Sequence, residues 1–250
     1  MVHALPYRHV WSIDSLSRGE LLSLLDSALL FKQASQAPDG LPRPLHGKYI
    51  AILSDDHASP EAAAFDRAAS ELGAQVAHVR ATDPAARESR DPRDTAGLLG
   101  RLYDAIECQG MPPEQVQQID RHAGVPVFNG IAGARHPLHV LADLMSLQER
   151  SGEPFERLRL RFAGDPRGEA GLVLANLADV LGFELVTGQN GSHASQATDL
   201  EIGCEPGGEL PLQLSLHLGA LPQMAGRSLV HEQARNRRCV LQAVLSSTVR

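Results

Sequence analysis

The side chains best suited to chemistry fall in a few short segments. Asp55, Asp56 and His57 follow an apolar run, and Ser59-Pro60-Glu61 comes directly after them. Cys108 and Gln109 end a second apolar run, and His136 and His139 stand one helical turn apart. Carboxylates and imidazoles of this kind could hold a divalent metal. His-x-x-His on one helix arises readily by chance, however, and no Cys or Glu completes the set at tight spacing, so no metal is expected. Ser59 has no assignable base and is better explained as a helix N-cap than as a nucleophile. Cys108 could be a reactive thiol, but a buried small hydrophobe suits its surroundings better. Asp143, inside an apolar helical stretch, reads as a structural hydrogen-bonding group or the cap of a neighbouring loop.

The elements that position these groups alternate. Ser17-Arg18-Gly19-Glu20 is a capping box, and the leucines from Leu21 to Leu30 give the helix behind it an apolar face. Tyr49 to Ser54 reads as a buried strand. Ser59 then caps a helix with Pro60 at its first position, and Gly73 ends it. Gln75 to Val79 is a strand, Asp91 to Tyr103 a helix, Asp104 to Glu107 a strand, Pro112 to His122 a helix and Val125 to Phe128 a strand. A long helix, His136 to Arg150, leads to a strand at Leu158 to Ala163 and a helix from Gly168 to Leu181. Strand-like runs follow at Phe183 to Val186, Leu200 to Gly203 and Leu212 to His217, and a helix from about Ser228 to Ser246 closes the chain. Such alternation implies an α/β fold of two doubly wound parallel-sheet domains joined by the long helix.

Composition narrows the classes. The chain has 250 residues, 43% of them hydrophobic, enough for one large core or two small ones. No uncharged apolar stretch is long enough to span a bilayer, and Met1 to Arg18 lacks the apolar core of a signal peptide. The odd, scattered set of Cys108, Cys204 and Cys239 fits a reducing cytoplasm. The net charge is −7 and the arginines are interleaved with acids, so neither nucleic acid nor a membrane surface is the expected partner.

Four segments together resemble the aspartate/ornithine carbamoyltransferase family. They are Asp94-Thr95-Ala96 running on through Leu98 to Glu107; Val125-Pro126-Val127-Phe128-Asn129-Gly130 with His136-Pro137 and Leu141-Ala142-Asp143-Leu144; Phe162-Ala163-Gly164-Asp165; and Glu232-Gln233-Ala234-Arg235-Asn236-Arg237. The resemblance runs from Leu45 to Leu245. It implies a carbamoyl-phosphate-type domain over 1–135, with a C-terminal helix at 228–250 packing back on it, and a shortened amino-acid-type domain over 136–227. It also implies no cofactor, a carbamoyl- or amino-acid-like small molecule as ligand, and a homotrimer or an assembly with a related subunit.

Members of that family hold a phosphate-bearing donor with arginines and helix-start amides, a sound arrangement for a phosphate leaving group and an oxyanion. By that correspondence Ser59, Gln109, His136, His139, Arg237 and Asp199 are the ligand-binding positions, with His136 the catalytic candidate that would polarise a carbonyl and Arg237 an anchor. The helix start reads Ala58-Ser59-Pro60-Glu61-Ala62, without the family's two arginines, and Gln109 replaces a third. His139 stands where the family has an amide. Each lost charge-assisted hydrogen bond is worth about 1.5–3 kcal/mol. A carboxylate such as Glu61 at ~4 Å from a phosphate would cost ~4 kcal/mol at an effective dielectric of ~20. The acceptor side departs as well: Gly168-Glu169 replaces a paired Asn, and the closing loop has no counterpart around Asp199 to Pro206. The expectation is a carbamoyltransferase-like protein that has lost transfer and serves as a binding, regulatory or assembly subunit. The alternatives are a working ornithine-type enzyme using Arg135, Arg167, Arg237 or a neighbouring subunit's arginines, and a cleft re-tasked for a neutral or cationic ligand by the rim of Asp55, Asp56, His57, Glu61 and His139.

Overall fold

The computed structural model describes residues 16–38, 40–56, 58–80, 92–133, 136–187, 200–204, 214–217 and 230–249. The chain divides into two compact units. One comprises 1–11, 22–136 and 238–250, the other 12–21 and 137–237.

In the first unit, β1 (Tyr49–Leu53), α2 (Pro60–Glu71), β2 (Gln75–Val79), α3 (Pro92–Leu102), β3 (Ala105–Cys108), α4 (Pro113–Ala123) and β4 (Val127–Asn129) follow α1 (Arg18–Ala34). The four strands are all parallel, in the order β2-β1-β3-β4. Consecutive strands run side by side only through crossover helices, so each strand must be apolar on both faces. Accordingly Ile50 and Ile52 are fully buried on one face of β1, and Ala51 and Leu53 are buried on the other. Ala51, Leu53, Ile106, Cys108 and Val127 pack with Ala96 and Leu99 of α3 and Val116, Ile119 and Ala123 of α4. Phe65 of α2 meets Phe128 of β4, with ring centroids 6.3 Å apart and planes tilted by 54°. Glu71, at the end of α2, accepts a hydrogen bond from Gln242 Nε2 at 2.8 Å and lies 3.5 Å from Arg238, both on α7 (Val230–Thr248). The C-terminal part of that helix therefore packs on the first unit.

The second unit runs through α5 (Leu138–Ser151), a 3₁₀ turn at Phe155–Arg157, β5 (Arg159–Ala163), α6 (Glu169–Leu181), β6 (Glu184–Thr187), β7 (Leu200–Cys204) and β8 (Leu214–His217). Its sheet is ordered β6-β5-β7-β8. β5 pairs parallel with both neighbours, but β8 runs antiparallel to β7. The all-parallel expectation is thus corrected at one edge. Strand alternation fixes which residues are extended, not their direction, and an antiparallel edge is common on otherwise parallel sheets. Gly182 ends α6 in the left-handed conformation, with its N–H on Ala178 O. Arg18 donates to Val180 O at 3.0 Å and pairs with Glu156, tying the start of α1 to the end of α6.

One close approach sets the packing of α3 on α4. A Cβ at Gly100 would lie 1.7 Å from the backbone oxygen of Ala123, so only glycine fits. Gly100→Ala gains about 1 kcal/mol of intrinsic helix propensity. It forces the two helices apart all the same, at an overpacking cost of about 1–3 kcal/mol or more. A thermal melt of this variant should show a clear fall in Tm. An unchanged Tm would mean the crossing is not as tight as described.

Candidate functional site

In an open parallel sheet, ligands bind outside the carboxyl ends of the strands, where the strand order reverses. In the order β2-β1-β3-β4, the chain winds outward from β1 to β2 and then resumes on the other side of β1 with β3. The reversal lies between β1 and β3, so the loops after these two strands frame the crevice. They carry Ser54 to Ser59 and Gln109 to Pro112.

The loop after β1 is held by its own side chains. Ser54 Oγ donates to Asp56 O at 3.1 Å, and Asp56 Oδ1 accepts from the Ala58 N–H at 3.0 Å. Ser59 then caps α2, its Oγ accepting from the Ala62 N–H at 3.0 Å while its carbonyl takes the Ala63 N–H at 3.1 Å. Pro60 has no N–H, so within the helix the next donor of this first turn is the Glu61 N–H. That donor sits on an acidic residue.

Gln109 comes to the same place from β3. Its backbone N–H bonds Leu53 O at 3.0 Å, which locks the end of β3 to the end of β1. Its Oε1 accepts from Ser59 Oγ at 3.4 Å, and its Nε2 donates to Glu107 Oε1 at 3.3 Å. Glu107 is fully buried. It lies in register between Ile52 and Phe128, on the face where Ile50 is also buried. Burial raises its carboxyl to a pKa of about 8, against the opposing pull of the Gln109 amide and the backbone N–H groups of Ile131 and Ala132. Glu107 is therefore mostly protonated at neutral pH, and the chain Ser59–Gln109–Glu107 is uncharged. Cys108, also buried, has its thiol pushed far up by burial and by the nearby Glu107 and Asp120. It is not a nucleophile. His136, in the loop after β4, donates its backbone N–H to Gly133 O at 2.9 Å. Burial lowers its imidazole to about 4, so it is neutral as well.

Of the ligand positions expected from sequence, the structure brings Ser59 and Gln109 into contact and places His136 in the same unit. Asp55 and Asp56 are exposed at the rim. His139, on the first turn of α5, and Arg237 belong to the second unit. There Arg237 lies 3.7 Å from Asp143, whose side chain is completely buried. Burial raises the Asp143 carboxyl to about 7, with Arg237 drawing it back down. The neighbouring Asn236 donates to Ser146 Oγ at 2.8 Å and Glu149 Oε2 at 2.9 Å, and Arg150 pairs with Glu232. Arg237 thus belongs to a polar ladder between α5 and α7, and Asp143 is an ion-pair partner rather than a loop cap. Asp199, His57 and Arg135 lie outside the described residues. Among the described residues no group of three or more His, Cys, Asp or Glu could hold a metal ion.

Sequence reading missed Glu107. A signal was available: an acidic residue in the middle of a four-residue strand buried throughout, where such residues almost never stand without a partner.

The raised carboxyl has a consequence for stability. A folded-state pKa of about 8, against 4.5 unfolded, means the folded protein binds the extra proton between those limits. Stability is therefore greatest below pH 4.5 on this account and falls as pH rises through 8. Asp143 acts in the same sense, with its midpoint near pH 7. His136 acts oppositely and mainly below 6.5. From pH 7 to 8 Glu107 is therefore the larger contributor of the two carboxyls, with a limiting slope of about 1.4 kcal/mol per pH unit. Melting curves of the parent protein should show Tm falling over that interval, and Glu107→Gln should make the fall clearly shallower. An equal decline in the variant would assign it elsewhere.

The geometry can now be set beside known proteins. Residues 8–149 match the family described as aspartate/ornithine carbamoyltransferase, carbamoyl-P binding domain. The catabolic ornithine carbamoyltransferase of Burkholderia mallei is 37% identical over 184 residues, 72% of this chain and 54% of that protein. The ornithine carbamoyltransferase of Cutibacterium acnes is 33% identical over 189 residues, 75% of this chain and 56% of its own length. The chain matches about half the length of these curated relatives. Among solved structures, the ornithine carbamoyltransferase of Thermus thermophilus superimposes with a TM-score of 0.72 at 22% identity, covering 98% of this chain and all of that one. The aspartate transcarbamoylase catalytic subunit of M. jannaschii gives 0.67 at 14% identity, covering 97% and 98%. These likenesses show the fold, and the profile match and the curated relatives show the lineage: the chain belongs to the aspartate/ornithine carbamoyltransferase family.

Proposed function

We propose that this chain is a carbamoyltransferase-family protein that does not transfer a carbamoyl group and works as a binding, regulatory or assembly subunit in the cytoplasm, as a homotrimer or beside a related subunit. In this reading 1–135 with 228–250 is the carbamoyl-phosphate-type domain and 136–227 the shortened amino-acid-type domain. Ser59, Gln109, His136, His139, Arg237 and Asp199 remain the positions that would face a small carbamoyl- or amino-acid-like ligand.

One observation carries the reading: the first turn of α2 has little left to offer an anion, since its Ala62 N–H is taken by Ser59 and its Glu61 N–H sits on an acidic residue. Ser59 Oγ holds the Ala62 N–H, Pro60 offers none, and Gln109 turns to Glu107. Helix-start amides and cationic side chains are what would hold a phosphate. Here the described groups of the crevice are neutral, and Asp55, Asp56 and Glu61 add negative charge at its rim.

A second reading, an active ornithine-type carbamoyltransferase, is favoured by the names of the curated relatives. It would draw its cations from Arg135, Arg167, Arg237 or another subunit. Calorimetric titration of the purified protein with carbamoyl phosphate, at moderate ionic strength, separates the two. No heat up to millimolar donor, and no carbamoylation of ornithine, is the expected outcome. Micromolar binding or turnover at ordinary enzyme rates would make the second reading correct.

A further inference from the structure

We propose that Glu107 is the specificity-determining residue of the first-unit crevice, acting through Gln109: the two side chains form a single unit that decides whether the crevice accepts an anion. The inference rests on the reading of the crevice as closed to carbamoyl phosphate, and names the group that closes it.

The geometry argues as follows. Gln109 is buried at the reversal point, and its side chain links the end of β3 to the start of α2. Its amide nitrogen points one of its two N–H groups back to Glu107 Oε1. The groups set against that carboxyl are the Gln109 amide and the backbone N–H groups of Ile131 and Ala132, with the thiol of Cys108 adjacent in the chain and Ile52 and Phe128 flanking in register. No cation among the described residues offsets it. Whatever stands at 109 therefore meets Glu107 first and a ligand second.

This arrangement gives a non-additive result. A guanidinium placed at 109 alone would favour the ionised form of Glu107 and be neutralised by it. The crevice would gain a pair and no net positive charge. Removing the carboxyl alone leaves an amide facing an amide, again with no charge. Only Glu107→Gln together with Gln109→Arg leaves a guanidinium free to meet an anion. Neighbours that share a partner are where such coupling is expected.

The test compares the parent chain, E107Q, Q109R and E107Q/Q109R, each titrated calorimetrically at pH 7 with carbamoyl phosphate and with inorganic phosphate. The expected result is at least tenfold tighter binding of either anion by the double variant than by both single variants. Q109R binding as tightly as the double variant would overturn the proposal, and so would a double variant no better than its singles. Melting curves supply a readout independent of binding. In Q109R the loss of Tm between pH 7 and 8 should shrink to that of E107Q, because a paired Glu107 would already be ionised. Should the double variant fail to fold, that readout decides, and a loss in Q109R as large as the parent's overturns the proposal. Micromolar binding of carbamoyl phosphate by the parent chain would instead defeat the reading of an inactive homologue, while the comparison among variants would still judge the role of Glu107.

Discussion

A carboxyl group with no countercharge among the described residues lies between Ile52 and Phe128 in the first sheet, and the contacts around it favour its neutral form. Ionising a buried carboxyl in such a setting is costly, and the chain meets the problem with a proton and with hydrogen bonds rather than with a cation. Gln109 supplies one of those bonds and is thereby drawn away from the strand ends. Ser59 completes the chain from the other side while it caps α2. The same contacts that settle a buried acid thus engage Ser59 and Gln109, two of the polar groups standing where the sheet order reverses.

The second unit handles its own buried carboxyl differently. Asp143 is as deeply buried as Glu107, yet it faces Arg237 and sits in a row with the Ser146–Asn236–Glu149 and Arg150–Glu232 contacts. Buried ion pairs of this kind add little net stability over apolar packing, but losing one partner leaves the other uncompensated. Their effect is to fix the register of α7 along α5, since sliding one helix by a turn would break several contacts at once. Arg237, which the family resemblance makes an anchor for a ligand, also takes part in this packing through Asp143.

The fold was legible because its signals are redundant. Apolar runs of strand length alternate with capped helices, and Ser59-Pro60 and Gly182 mark boundaries by backbone chemistry that tertiary context does not overrule. Strand direction was not legible at β8, where one short run carries no sign of its orientation. At the site the outcome divides in the same way. The resemblance singled out Ser59 and Gln109, and the structure shows the two in contact. Glu107 was missed because its importance is a matter of three-dimensional register: only the pairing of Ile52, Glu107 and Phe128 shows that its side chain has no route to water. The partner of Arg237 was likewise hidden, since it lies 94 positions earlier in the chain, on another helix.

Scaffold and site separate energetically. The cores of both units rest on contacts such as Phe65 on Phe128 and Phe155 on Phe183, and in the first unit on β1 and β3, which are buried on both faces. None of these contacts needs a positive charge at the strand ends. Ser59 with Pro60 makes a better isolated helix start than an anion cradle does, because an N-cap contributes about 1 kcal/mol whether or not a ligand is present. Groups pre-arranged for an anion, by contrast, repel one another or lie unsatisfied until it arrives. Relaxing that arrangement tends to stabilise the empty protein at the expense of binding. The groups at the strand ends are therefore not needed to keep the four parallel strands of this chain in register.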